Sequence, residues 1–117
     1  MTVDGEQVRG TLVDDRKRTT ERVEALRRDL RSLEESVEGS TDDEHDPDGS
    51  GGLAVGRAQV QALIAQAEGH LADVDAALGR LDDGGYGRCE RCGEPIGAAR
   101  LEARPTARTC IRCAGGG

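Results

Sequence analysis

Two stretches of the chain repeat their apolar positions at alternating intervals of three and four residues. In the first stretch these positions are Val23, Leu26, Leu30, Leu33 and Val37, and the same spacing continues backwards through Thr19, Arg16 and Leu12. In the second stretch they are Leu53, Arg57, Val60, Ile64, Ala67, Leu71, Val74, Leu78 and Leu81. A heptad pattern stabilises a helix only when a second helix covers it. The sequence therefore predicts a mainly α protein built on an antiparallel two-helix coiled-coil hairpin.

Polar segments divide the chain into four parts. Residues 1–10 are polar, and we expect a flexible N-terminus there. The hairpin is predicted over residues 11–84, and residues 39–52, GSTDDEHDPDGSGG, form its acidic tip. This stretch contains four glycines, one proline and five acids, which favour a turn. Residues 85–114 contain all the cysteines, and residues 115–117 are predicted to be a glycine tail.

Composition limits the kind of core that the chain can form. Only 35% of its 117 residues are hydrophobic, and Tyr86 is the single aromatic residue, so we expect a narrow aliphatic core assisted by a metal. The net charge of −7 argues against general coating of DNA. No segment approaches the roughly 20 apolar residues of a membrane span, and the N-terminus lacks an apolar signal region. We therefore predict a cytoplasmic protein with reduced thiols and no membrane partner.

Four cysteines form two pairs with metal-ligand spacing. Cys89 and Cys92 form one Cys-x2-Cys pair, Cys110 and Cys113 form the other, and 17 residues separate the pairs. This spacing predicts one structural zinc ion, because four protein ligands leave no open position for water. Four thiolates can also hold a single iron ion, and the spacing does not distinguish the two metals. A redox Cys-x-x-Cys pair would need a βαβ setting, which is not visible here.

The cysteine segment is rich in arginine, and this charge has more than one interpretation. It contains six arginines against three glutamates. A nucleic-acid surface is one interpretation, although Tyr86 is the only stacking residue available. In the other interpretation, these arginines face an acidic protein surface or solvent.

Several motifs of this segment resemble the DksA/TraR family of bacterial transcription regulators. They are Gly85-Tyr86-Gly87, Cys89-x2-Cys92-Gly93, Ile96, Arg100-Leu101-Glu102-Ala103-Arg104-Pro105 and Cys110-Ile111-x-Cys113. The likeness is dense over residues 85–113, while residues 1–38 match only in being helical. The family architecture, a long helical hairpin on a four-cysteine zinc finger, agrees with the heptad and cysteine patterns.

The resemblance implies a function without catalysis. Family members bind RNA polymerase and not promoter DNA, and insert the hairpin into its secondary channel to modulate initiation. Their tip motif of two acids and an alanine falls on Asp43, Asp46 and Asp48, so the alanine is replaced here. Arg100 and Arg104 match finger residues that are candidate contacts.

The chain also departs from its longer relatives. Two basic positions that they use for guanosine tetraphosphate are Asp73 and Ala114 here. We therefore do not expect a response to that nucleotide. The alternatives to a polymerase-binding regulator are a zinc-finger DNA-binding protein that dimerises through its helices and a coiled-coil adaptor.

Overall fold

The chain forms a helical hairpin followed by a small cysteine-containing finger. The computed structural model describes residues 4–39 and 47–115, with side chains over 4–35 and 55–114. Within these residues the helices are α1 (Gly5–Gly39), α2 (Pro47–Asp83), α3 (Ala98–Ala103) and α4 (Ile111–Gly115). The only extended pairing in the described part is one antiparallel bridge between Arg88 and Pro95. The predicted fold class, a mainly α hairpin with a four-cysteine finger, is confirmed.

Helix α1 begins earlier than the sequence predicted. Residues 1–10 were expected to be flexible, yet the helix starts at Gly5. Asp4 caps it, because its carboxylate accepts hydrogen bonds from the backbone N–H groups of Glu6, at 3.0 Å, and Gln7, at 3.4 Å. Val8 then packs against buried side chains of the hairpin. The cap by Asp4 and the apolar contact of Val8 therefore stabilise the start of α1, although its residues are mostly polar.

The connection between the long helices is shorter than the predicted tip. Residues 39–52 were expected to form a turn, but α1 continues to Gly39 and α2 begins at Pro47. Proline suits a first helical position, since its missing N–H has no partner there and its φ is already helical. Asp48 therefore belongs to α2, whereas Asp43 and Asp46 lie outside the described residues. At the other end of the chain, Gly115 belongs to α4 and not to the predicted tail.

The chain divides into two compact units that each contain part of both long helices. The terminal unit consists of Met1–Lys17 and Leu71–Gly117, and the middle unit is Arg18–His70. In the terminal unit, Leu12, Val74 and Ala77 are fully buried together. The partly buried side chains packed against them are Val8, Leu78, Leu81 and Tyr86. The start of α1 thus lies against the end of α2, as an antiparallel hairpin requires.

The middle unit has its own apolar cluster. Its buried members are Val23, Leu26, Ile64 and Ala67, and Leu30 and Val60 pack against them. All six lie at heptad positions that the sequence pattern identified. The heptad position Thr19 is also buried, whereas Arg16 is exposed.

Ion pairs link α1 to α2 within each unit. In the terminal unit, Arg9 pairs with Asp82 at 2.8 Å and Arg16 pairs with Asp75 at 2.6 Å. In the middle unit, Arg27 pairs with Glu68. These side chains are about half exposed, so each pair contributes about 0–1 kcal/mol and mainly favours the antiparallel register.

Helix α2 ends in a glycine turn that leads into the finger. Gly84 has φ of +84°, a conformation that glycine adopts without strain. The carbonyl oxygen of Arg80 accepts hydrogen bonds from the N–H groups of Gly85, at 2.9 Å, and Tyr86, at 3.1 Å. This hydrogen-bonded turn fixes where the finger begins.

None of the helices in residues 4–39 and 47–115 combines the length and apolar character that crossing a membrane requires.

Candidate metal centre

The four cysteines meet at one point of the terminal unit. Their sulfur atoms all lie within 4.8 Å of one another, and Cys92 Sγ is 3.8 Å from Cys110 Sγ. Cys89 and Cys110 are buried, Cys113 is half-buried and Cys92 is exposed. The sequence spacing therefore identified a set of ligands that the fold does bring together.

Backbone hydrogen bonds hold the two pairs of cysteines in place. Cys89 N–H donates to Glu94 O at 2.8 Å, and Gly93 N–H donates to Cys89 O at 2.9 Å. Gly93 directly follows the first pair and has φ of +77°, a conformation that glycine adopts without strain. Glu90 N–H donates to Arg108 O at 2.9 Å, and this bond ties the first pair to the segment that precedes the second.

The thiols have strongly shifted pKa values. Burial acts to raise the pKa of Cys89, but backbone N–H groups of Cys92, Cys110 and Arg91 outweigh it and lower the pKa to about 6. A backbone N–H of Cys113 likewise lowers the pKa of Cys110. Hydrogen bonding to the sulfurs of Cys89 and Cys110 raises the pKa of Cys113 to about 12. Four sulfurs this close cannot all be anionic unless a cation lies among them.

This geometry fits a zinc ion. Four sulfurs placed tetrahedrally at about 2.3 Å from Zn²⁺ would be about 3.8 Å apart, close to the Cys92–Cys110 separation. All four positions are filled by protein ligands, so no coordination site is left for water or substrate. The centre is therefore one structural zinc site held by Cys89, Cys92, Cys110 and Cys113.

A small apolar cluster surrounds the sulfurs. Besides Cys89 and Cys110, its buried members are Ile96, Leu101 and Ala107. Tyr86 packs against this cluster and also against the cluster of the hairpin. Its hydroxyl donates to Pro105 O at 2.7 Å. Burial raises the pKa of Tyr86, although the positive charge of Arg80 opposes the shift.

The arginines of the finger differ in their surroundings. Arg100, a candidate contact, is half-buried and donates through Nε to Thr109 O at 2.8 Å. Arg104, the other candidate, is exposed. Arg108 lies 3.7 Å from Asp73 of α2, an ion pair that the sequence pattern did not predict. Only the opposite charges of the two residues could have suggested this pair.

The finger and the hairpin together define a class of protein: a helical hairpin carrying a four-cysteine zinc finger. Residues 84–116 match the family model described as prokaryotic dksA/traR C4-type zinc finger. The structure of transcription factor DksA2 from Pseudomonas aeruginosa is similar, with a TM-score of 0.79 and 31% sequence identity, covering 96% of this chain and 81% of that one. The chain therefore belongs to the DksA/TraR family.

Curated relatives are similar mainly in the finger. The RNA polymerase-binding transcription factor DksA of Caulobacter vibrioides is 65% identical over 37 residues, which are 32% of this chain. Its namesake from Escherichia coli is 50% identical over 40 residues, or 34% of this chain. In each case the matched segment spans only 26% of the relative's length.

Proposed function

We propose that this protein is a bacterial transcription regulator that binds RNA polymerase directly and has no catalytic activity of its own. The observation that carries the proposal is the likeness to the DksA2 structure, because it extends over 96% of the chain and not only over the finger. The curated relatives are named RNA polymerase-binding transcription factors, and these names support RNA polymerase as the partner. The site of action would then be the cytoplasm.

The hairpin would be the part that enters the polymerase. Helices α1 and α2 have 35 and 37 residues, and the residues between them in the sequence include Asp43 and Asp46. We propose that it inserts into the secondary channel, with the acids of the tip acting near the catalytic centre. Carboxylates there can bind Mg²⁺ or repel other acidic groups. The structural zinc would keep the finger folded at the base of the hairpin.

The proposal is tested by measuring the affinity of the purified chain for RNA polymerase. We expect direct, saturable binding, and an effect of the bound chain on the lifetime of initiation complexes in vitro. A folded, zinc-loaded chain that fails to bind polymerase would rule the proposal out. Binding to promoter DNA alone would instead favour a zinc-finger DNA-binding protein.

Neutralising two acids of the tip is expected to separate binding from regulation. The double substitution Asp43→Asn and Asp46→Asn should leave polymerase affinity within about tenfold, roughly 1.4 kcal/mol, because the helices and finger would supply most contacts. Its effect on initiation should be lost, since the carboxylate charge is removed while the side-chain shape is kept. The measurements are a binding titration and in vitro transcription.

A matched control removes the same charge from neighbouring positions. Asp42→Asn with Glu44→Gln also neutralises two acids of the same segment. We expect this variant to retain most of the regulatory effect, because the family motif falls on Asp43 and Asp46. Equal loss in both double variants would mean that only the total charge of the tip matters. Full activity of the Asp43/Asp46 variant would locate the function elsewhere in the chain.

Guanosine tetraphosphate is not expected to change the action of this protein. Asp73 occupies one of the positions where longer relatives have a basic residue, and its carboxylate lies 3.7 Å from Arg108. A negative charge that already engages the nearby arginine disfavours a phosphate at this place. In vitro transcription with and without the nucleotide should therefore give the same response to the chain. A response to the chain that changes when the nucleotide is added would contradict this expectation.

A further inference from the structure

The two long helices of the middle unit expose opposite kinds of surface. Eleven residues of α1 between 18 and 35 are exposed, and ten of these eleven are charged. Eleven residues of α2 between 55 and 70 are also exposed, and with histidine neutral only Glu68 among them is charged. The uncharged ones include two large aliphatic residues, Val55 with an exposed fraction of 57% and Leu63 with 37%. One side of this unit is therefore densely charged, and the other is neutral and partly apolar.

Five of the neutral residues form one line along α2. Residues three or four positions apart lie on the same side of a helix. The members of the line, called the neutral face below, are Val55, Ala58, Ala62, Ala65 and Gly69. The buried residues Ile64 and Ala67 lie on the other side of α2, in the cluster shared with α1. Within the described residues, the neutral face is thus a helix side that no other element of the chain covers.

Gly69 is not explained by the packing of the chain itself. Apart from the backbone of its own helix, no heavy atom of the described residues lies within 4 Å of a Cβ built on this glycine. Glycine inside a helix is less stable than alanine, because it loses more backbone freedom on folding. The missing side chain does, however, let a second backbone approach α2 closely at this point. Gly69 therefore favours an occupant from outside the chain.

The chemistry of the neutral face selects an uncharged occupant. A charged side chain pressed against Val55 and the alanines would be removed from water without a partner, which is costly. The exposed side of α1 is excluded for this reason, since ten of its residues between 18 and 35 are charged. In the middle unit, the surface that matches the neutral face is the same face of a second copy. A surface that is complementary to itself is what a twofold dimer requires.

We propose that two copies of this protein associate through the neutral faces of their α2 helices, antiparallel about a twofold axis at Ala62. Val55 and Gly69 are each seven residues from Ala62. The axis therefore places Ala62 opposite Ala62 of the second copy, and Val55 opposite Gly69 of the second copy. The largest side chain of the line meets the smallest at both ends of the contact. This self-association is independent of the proposed function.

The size and charge of the contact make the dimer weak and sensitive to salt. The line from Val55 to Gly69 is about 21 Å long on a helix about 10 Å wide. Such a strip is well below the roughly 800 Å² that each partner contributes to a standard interface. Each chain also has a net charge of −7, so the two copies repel each other. Added salt screens this repulsion and should strengthen the association, whereas it weakens a complex held by opposite charges.

The test is sedimentation of the full, zinc-loaded chain over a range of concentrations. We expect a monomer at low concentration and an increasing share of dimer toward about 1 mM, with more dimer when sodium chloride is added. Ala62→Arg and Ala62→Glu should each remove the dimer, because like charges then face each other at the axis. A mixture of these two variants should associate again, since arginine of one copy faces glutamate of the other. Both residues are good helix formers, so the exposed site should keep its helix.

A second pair of variants tests the antiparallel register. Gly69→Leu should reduce the dimer at least about fivefold, because the new side chain meets Val55 of the second copy. Adding Val55→Ala to the same chain should recover most of the association, since space is returned at the opposing position. Leucine is a better helix former than glycine, so Gly69→Leu should not lower the melting temperature. In a parallel dimer residue 69 would face itself, and Val55→Ala would restore nothing.

Ala99→Arg is the matched control, because Ala99 is an exposed alanine of α3 in the finger. We expect its dimer to form within about threefold of the parent, as surface substitutions outside an interface do. A parent chain that stays monomeric to about 1 mM at high salt would overturn the dimer. Failure of the Ala62 mixture to associate would overturn the axis at Ala62. If the parent stays monomeric and Ala62→Arg instead loses binding to RNA polymerase, the face serves that partner and the dimer is wrong, while the proposed function stands.

Discussion

Replacing Cys110 with serine is expected to unfold the finger and leave the long helices formed. Cys110 is a buried zinc ligand and a member of the small apolar cluster of the finger. Two of the five buried residues of that cluster are themselves ligands, so losing the metal removes the organising centre of the core. Structural zinc contributes about 10–16 kcal/mol in zinc-finger peptides, far more than this core can supply alone.

The measurements are zinc content, circular dichroism and limited trypsin digestion. We expect less than one zinc per chain, rapid cleavage at the arginines of the finger and only a modest loss of helicity, because α1 and α2 together hold most of the helical residues. Ala114→Ser is the matched control, since this exposed neighbour changes to the same residue without touching the metal. A zinc-free variant that resists trypsin as the parent does would refute the structural role of the metal.

An aspartate at Val74 is expected to destabilise the hairpin by about 3 kcal/mol or more. Val74 is fully buried against Leu12 and Ala77, where a carboxylate would be removed from water without a cationic partner. Thermal unfolding should therefore shift down by about 10 °C or more, given about 4–8 °C per kcal/mol for a domain of 60–100 residues.

Val13→Asp provides the comparison for this effect. Val13 lies on α1 next to the buried Leu12, but it is 49% exposed. The same change in chemistry should cost only about 0.5 kcal/mol there. Similar melting temperatures for the two variants would mean that Leu12 and Val74 do not face each other in solution.

The heptad pattern was sufficient to predict the pairing of the long helices, but not their ends. Apolar spacing indicates which face of a helix is buried, and Val23, Leu26, Ile64 and Val74 are buried accordingly. The start at Gly5 depends on the cap from Asp4, and the start of α2 on Pro47. Such local interactions change a boundary without changing the periodicity.

Ala77 was missed for a different reason. It lies between the heptad positions Val74 and Leu78, yet it is fully buried. The burial of a small side chain depends on how closely the neighbouring helix approaches, and that distance is not encoded in the spacing of large apolar residues.

The ligand set of the metal site was predictable because spacing alone defines it. The four cysteines predicted from the two pairs are the ones whose sulfurs come together. The surroundings of the arginines were not predictable, since Arg100 finds its acceptor in Thr109 and Arg108 finds Asp73 through the tertiary fold. The sequence could identify which side chains are charged, but not which of them find an acceptor elsewhere in the fold.

The position of Tyr86 gives this protein a built-in optical probe. It is the only aromatic residue among 117, so all of the chain's intrinsic fluorescence and near-ultraviolet dichroism come from one ring. That ring touches the apolar clusters of both the finger and the start of the hairpin, and its hydroxyl is bound to Pro105. Emission recorded during chelation of the metal would follow the loosening of this junction without any attached dye. Tyrosine cannot be excited without also exciting the tryptophans of a partner, so such recordings are best made on the isolated chain, which contains no tryptophan.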